Sequence, residues 1–182
     1  MIILAIDPGT GISSPTGIAI FDSETKTIIH TENLSTKRKI LQHRIKDISD
    51  QLEALIASIG EAEELTVAIE SFVMRGKGGE TLQRLIGSFM GRLPYRVELL
   101  PIQNTTVKLI VGGHGHAEKH EMAARLPKYF NESSHALIKA LTQANEYDIL
   151  DALAIGAAAW STKLGEVTPR RKGIPKKRPK KS

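Results

Sequence analysis

The chain has 182 residues, 41% of them hydrophobic, and no cysteine, a size that suits one domain burying roughly two-thirds of its unfolded surface. Disulfides, thiolate nucleophiles and cysteine-ligated zinc are excluded, and no apolar stretch reaches the roughly 18 residues needed to span a bilayer. The net charge of +5 hides an asymmetry: from Lys163 onward nine Lys or Arg face the single acid Glu166, a net +8, which leaves residues 1–162 at −3.

In chain order, residues 2–6 predict a fully buried strand that closes on Asp7 and runs into the turn Pro8-Gly9-Thr10-Gly11. Its start has neither the basic residues nor the cleavage site of a signal peptide, and with no cysteine in the chain a cytoplasmic location is expected. Residues 17–21 and 26–33 predict two more strands joined by the polar turn Asp22-Ser23-Glu24-Thr25, completing a meander. Ile40, Leu41, Ile45, Ile48, Leu52, Leu55, Ile56 and Ile59 give residues 38–59 a helical stripe, stopped by Gly60. A second buried strand, 65–69, closes on Glu70, and the strand–helix–strand order implies a parallel crossover.

Residues 74–79 read as a polar, glycine-rich loop, followed by a helix carrying Leu82, Leu85, Ile86, Phe89, Met90 and Leu93. A fifth strand is expected over 95–100, closed by Pro101, then short helices over 105–111 and 117–129 around Gly112-Gly113-His114-Gly115. Residues 131–146 are compatible with helix or loop, and 147–163 form the last helix, with Trp160 in the core or at a dimer contact. No repeat or second domain is evident. One domain over 1–163 is therefore expected, with a basic tail over 164–182 that Pro169, Pro175 and Pro179 keep extended and disordered. Such a tail attracts polyanions through counterion release.

Three meander strands, a crossover helix, two more strands and a closing helix is the order of the ribonuclease H-like fold, an α/β architecture with a mixed five-stranded sheet flanked by helices. That order puts the first strand beside the one ending in Glu70, so their carboxyl ends share one crevice. Asp148 and Asp151, three residues apart at the start of a helix rich in Ala and Gly, face one side of it. Four carboxylates meeting at one point resist joint ionisation unless divalent cations neutralise them.

This set resembles RuvC-type Holliday junction resolvases. Asp7-Pro8-Gly9 with Thr16-Gly17 is similar to the first motif of that family, and Ala68-Ile69-Glu70 with Val73-Met74 to the second. Thr106-Val107-Lys108, Val111, Gly113, Gly115 and Ala117-Glu118-Lys119 resemble the basic motif, and Asp148 with Asp151-Ala152-Leu153-Ala154 the last. The resemblance covers residues 1–160 in order and implies an Mg²⁺-dependent endodeoxyribonuclease. Asp7, Glu70, Asp148 and Asp151 would be metal ligands, holding two Mg²⁺ per site with Mn²⁺ able to substitute. It further implies a role for Lys119 near the scissile phosphate, a DNA-backbone contact by Lys108, and 5′-phosphate and 3′-hydroxyl products. The expected substrate is branched DNA, a four-way junction, cut by paired nicks. Two opposed nicks call for a two-fold homodimer, with the 82–93 helix as the expected contact. The residues specify no membrane role and no particular helicase partner.

Two departures stand out. Six residues, Thr10 to Pro15, separate Gly9 from Thr16, where the family pattern holds about three. An aromatic that many relatives place three residues after the glutamate is Val73 here; either Phe72 takes over stacking at the branch point, or Val73 and Met74 do. Arg75 and Lys77 are candidate phosphate contacts, as are Arg170, Arg171, Lys172, Lys176 and Lys177 in the tail. His114, His116 and His120 have no spacing that suits a metal site. Asp7-Pro8-Gly9-Thr10-Gly11 also looks like an actin-like ATPase phosphate loop, but the chain has no duplicated half. An RNA-processing nuclease of the same fold and a non-catalytic junction-binding protein are the alternatives.

Overall fold

The computed structural model describes residues 1–10, 14–60, 64–71, 77–94 and 97–165, and for 77 and 78 the backbone alone. Its centre is a mixed five-stranded sheet in the order β3-β2-β1-β4-β5, formed by β1 (Ile2–Asp7), β2 (Thr16–Asp22), β3 (Thr27–Leu34), β4 (Leu65–Ser71) and β5 (Glu98–Gln103). Strands β1, β2 and β3 pair antiparallel, whereas β1–β4 and β4–β5 pair parallel, as the ribonuclease H-like order requires.

The unbroken apolar run of β1 follows from coverage on both faces. Ile2, Leu4 and Ile6 pack into one core with α1 (Leu41–Ile59) and α2 (Lys77–Met90), through Ile48, Leu52, Ile56, Leu85 and Phe89. Ile3 and Ala5 face the other core, built on α6 (Tyr147–Lys163) with α3 (Asn104–Gly112), α4 (Lys119–Arg125) and α5 (Glu132–Gln143). Helix α6 approaches the sheet closely because its residues are small. A Cβ at Gly156 would lie 2.5 Å from the Phe21 ring and 2.9 Å from the Ala5 Cβ. Trp160 is a buried member of this core, with the Lys26 ammonium 4.7 Å from its ring centre.

Several boundaries differ from expectation, each for a local reason. Helix α1 starts at Leu41 rather than 38, because Asp47 accepts hydrogen bonds from the Thr36 hydroxyl and Arg38 Nε, holding that segment outside the helix. Helix α2 starts at Lys77, inside the glycine-rich stretch, with Glu80 in its first turn paired to Arg84 at 2.6 Å. Strand β5 does not close at Pro101 but passes through it to Gln103; an edge strand tolerates a missing N–H. The 117–129 helix divides into α4 and a 3₁₀ turn, Leu126–Tyr129, at Pro127. Residues 131–146, open between helix and loop, contain α5, capped by Asn131, whose side chain accepts from the Ser134 N–H and donates to Thr25 O and Thr27 Oγ1. Among the described residues no helix is long and apolar enough to cross a membrane. The expected tail, apart from residues 164 and 165, lies outside the described residues.

Candidate active site

Asp7 is the last residue of β1 and Glu70 the last but one of β4. Because Ile6 pairs with Ile69 in parallel register, the two carboxylates stand at the same end of neighbouring strands. Helix α6 begins above this end, with Asp148 in its first turn and Asp151 one turn on. Asp7, Glu70 and Asp151 line one small cavity of about 30 Å³, together with Asn104, Val107, Met122 and Ile155. That is room for one or two water-sized occupants. Asp148 is not among the lining residues, but its charge acts on both Asp7 and Asp151.

The electrostatics express the crowding. Burial, followed by the charges of Asp151, Glu70 and Asp148, pushes the Asp7 carboxyl up to about 8, against the opposing pull of Lys119. Burial also raises Glu70, opposed by a hydrogen bond in which Asn104 Nδ2 donates to its Oε1 at 2.7 Å. Asp151 is raised by burial and held back by Lys119, whose ammonium lies 2.5 Å from Asp151 Oδ2. For Lys119 burial acts downward, but the hydrogen bond to Asp151 and the charges of Asp151, Asp7 and Asp148 leave it raised.

The donor set is carboxylate oxygen throughout, the chemistry preferred by Mg²⁺ or Mn²⁺. Among the described residues no three His, Asp or Glu side chains already enclose an ion-sized point. The carboxylates line a small cavity rather than a closed cage, and their all-oxygen chemistry suits a hard divalent cation.

The supporting parts are equally local. The buried Thr16 hydroxyl donates to Gly9 O at 2.8 Å and accepts from the Gly9 N–H at 3.1 Å, pinning both ends of the long β1–β2 connection beside Asp7. Lys108 sits on α3, its charge reaching Asp151, and Lys119 opens α4. His114 and His120 lie 3.6 and 3.4 Å from Glu121 and Glu118, the two glutamates of the α4 capping box. Phe72, Val73, Met74, Arg75, Arg170, Arg171, Lys172, Lys176 and Lys177 lie outside the described residues, as does the side chain of Lys77.

Two contacts were not anticipated. Asn104 bonds Glu70, and Asn33 Nδ2 donates to Glu146 Oε2 at 2.8 Å, tying β3 to the residue before α6. Asp7 pairs with Gly17, and Gly17 with Asn33, so Asn33 shares a row with Asp7 at the active end of the sheet.

No family model matches the chain. It is 28% identical over 168 residues to the crossover junction endodeoxyribonuclease RuvC of Carboxydothermus hydrogenoformans, covering 88% of this chain and 96% of that one. To the protein of the same name from Rickettsia conorii it is 30% identical over 127 residues, 67% of this chain and 78% of that one. Among solved structures, Thermus thermophilus RuvC superposes with a TM-score of 0.65 at 22% identity, covering 91% of this chain and 97% of that one. The same protein in complex with a Holliday junction substrate gives 0.65 at 19% identity, over 93% and 99%.

Proposed function

The chain belongs to the RuvC family of crossover junction endodeoxyribonucleases, and from that premise we propose that it is a divalent-metal-dependent nuclease that resolves four-way DNA junctions by paired nicks. The observation that carries this reading is the meeting of Asp7, Glu70 and Asp151, from three elements distant in sequence, around one cavity. Asp7, Glu70, Asp148 and Asp151 would hold the cations. Bound there, one or two Mg²⁺ ions would lower the pKa of an attacking water and stabilise the leaving 3′ oxygen, giving 5′-phosphate and 3′-hydroxyl ends.

The chain's own residues supply the rest. Burial makes the Asp7 carboxyl reluctant to ionise and so poises it to lose its proton when positive charge enters the cavity. Lys119, half exposed beside Asp151, offsets negative charge growing on a phosphate at the mouth of the site. Lys108, Arg75 and Lys77 would hold the DNA backbone, and Phe72, or Val73 with Met74, would stack at the branch point. The tail residues Arg170, Arg171, Lys172, Lys176 and Lys177 would add sequence-independent attraction.

Opposed nicks require two active sites related by a two-fold axis. Helix α2 leaves Met90 half exposed beside Ile86, over a groove of about 410 Å³ also lined by Leu99 and Pro101, which supports this face as the dimer contact. Work on DNA in the cytoplasm is the corresponding location.

The test is cleavage of end-labelled four-way, three-way, flap and linear duplexes, each with Mg²⁺, Mn²⁺ or Ca²⁺. Symmetric paired nicks confined to the four-way junction, with Mg²⁺ or Mn²⁺, are expected. Equal cutting of linear duplex, or cutting of RNA in preference to every DNA substrate, would overturn the reading.

A further inference from the structure

One amide in the cavity has no place among the carboxylate and lysine roles. Asn104 is the first residue of α3, and its Nδ2 donates to Glu70 Oε1 at 2.7 Å. The sheet sets up this contact. Glu70 pairs with Ile102 and Ser71 with Gln103, so β5 leaves the sheet beside Glu70 and turns directly into α3. Helix α3 is anchored in the core by Val107, Ile110 and Val111, so the amide stands on a fixed element. Glu70, by contrast, carries its carboxylate on a longer chain of rotatable bonds.

An amide N–H only donates, and an oxygen engaged by it is less available to a cation. A ligating carboxylate oriented by such a partner loses less freedom when it binds an ion. With Oε1 tied by Asn104, Oε2 is the oxygen left for a cation once the hydrogen bond between Asp7 and Glu70 gives way to it. Asn104 also lines the cavity with Asp7 and Asp151, so its donor acts where an ion would sit.

We propose that Asn104 is a positioning residue for Glu70: its amide holds Oε1 and leaves Oε2 as the single oxygen offered to a divalent cation. The proposal rests on Glu70 being a metal ligand. Nothing in it requires Asn104 to touch the ion or the DNA.

The experiment is calorimetric titration of Mn²⁺ into the full chain without DNA, for the parent, Asn104→Leu, Asn104→Ala and Glu70→Gln. Melting temperature and metal-free junction affinity are measured alongside. Leu keeps the shape of Asn without its donor, and position 104 is on an exposed helix surface, so both variants should fold. Both Asn104 variants should bind Mn²⁺ about tenfold more weakly, the scale of losing a ligand's hydrogen-bond partner. Their melting temperatures should fall by no more than on the order of 5 °C, the scale of one hydrogen bond lost to a buried carboxylate, and junction affinity should not move. Parent-like Mn²⁺ affinity in both Asn104 variants, with weakened binding in Glu70→Gln, would overturn the role of Asn104 and leave Glu70 as a ligand. Parent-like affinity in Glu70→Gln as well would remove the metal site and the proposal with it. Parallel losses of metal affinity, melting temperature and junction affinity in both Asn104 variants would mean a structural role instead.

Discussion

Gly17 lies directly under the carbonyl of Asp148: a Cβ built on Gly17 would come within 2.0 Å of that oxygen. Strand β2 and the first turn of α6 are thus in backbone contact, and Gly17 is also the residue paired with Asp7. A missing side chain therefore sets how far Asp148 and Asp151 stand above the strand ends. Gly17→Ala should lift the start of α6, costing about 1–3 kcal/mol, the usual scale of overpacking. That corresponds to a melting temperature lower by about 3–10 °C. Nicking should fall by about 100-fold, the price of misplacing a site by roughly 1 Å. Thermal melting with a junction cleavage assay checks both, and a variant that melts and cuts like the parent would refute the contact.

Asp7 gives a prediction of opposite sign for stability. Its carboxyl is raised from 3.8 to about 8 in the fold, so between these values the folded state binds a proton that the unfolded chain has released. Stability contributed by Asp7 is therefore fully present below pH 3.8 and declines as pH rises toward 8. Asp7→Asn removes that decline and keeps an N–H able to donate to Glu70. Without metal, the variant should melt higher than the parent at pH 7.5, on the order of 5 °C, and the gap should close as pH falls toward 4. With Mg²⁺ it should not cut. A pH-independent gap would show that burial strain at Asp7 is not the cause.

Lys119 competes with any cation for the Asp151 carboxylate, since its ammonium sits 2.5 Å from Asp151 Oδ2. Lys119→Met should strengthen Mn²⁺ binding severalfold by freeing Asp151, while lowering the nicking rate at saturating metal by about 100-fold. Binding and rate moving in opposite directions is the signature, read by calorimetry and single-turnover cleavage. Weaker Mn²⁺ binding in this variant would contradict it.

The basic tail makes a prediction about salt. Truncation after residue 167 removes eight Lys or Arg. Each phosphate contact so lost should reduce the slope of log affinity against log salt by about 0.9 for duplex arms. Anisotropy titrations across a salt series measure that slope; an unchanged value would exclude the tail from DNA contact.

The parts of the site carried by strand ends are legible in the sequence, for a physical reason. A strand buried on both faces reads as an apolar run, and a charge at its end marks where it meets solvent or ligand, as Asp7 and Glu70 do. Asp151 followed from helical spacing on a small-residue helix. Asn104 did not, because its partner depends on β5 continuing past Pro101, and a proline in a strand argues locally for a stop. The bond between Asn33 and Glu146 joins residues 113 apart and rests on cross-strand register, which neither local sequence announces. Helix α5 was hidden for a similar reason: its cap, Asn131, is held by Thr25 and Thr27 on a distant turn and strand.

The most direct measurement is cleavage of an end-labelled four-way junction by Glu70→Gln in Mg²⁺, with junction affinity measured in parallel. On the proposed role of Glu70 as a cation ligand with Asp7 and Asp151, a neutral amide supplies an oxygen without the charge the ion needs. Expected is loss of both nicks to background, with affinity for the junction unchanged. Paired nicking by Glu70→Gln at the parent rate would contradict the site.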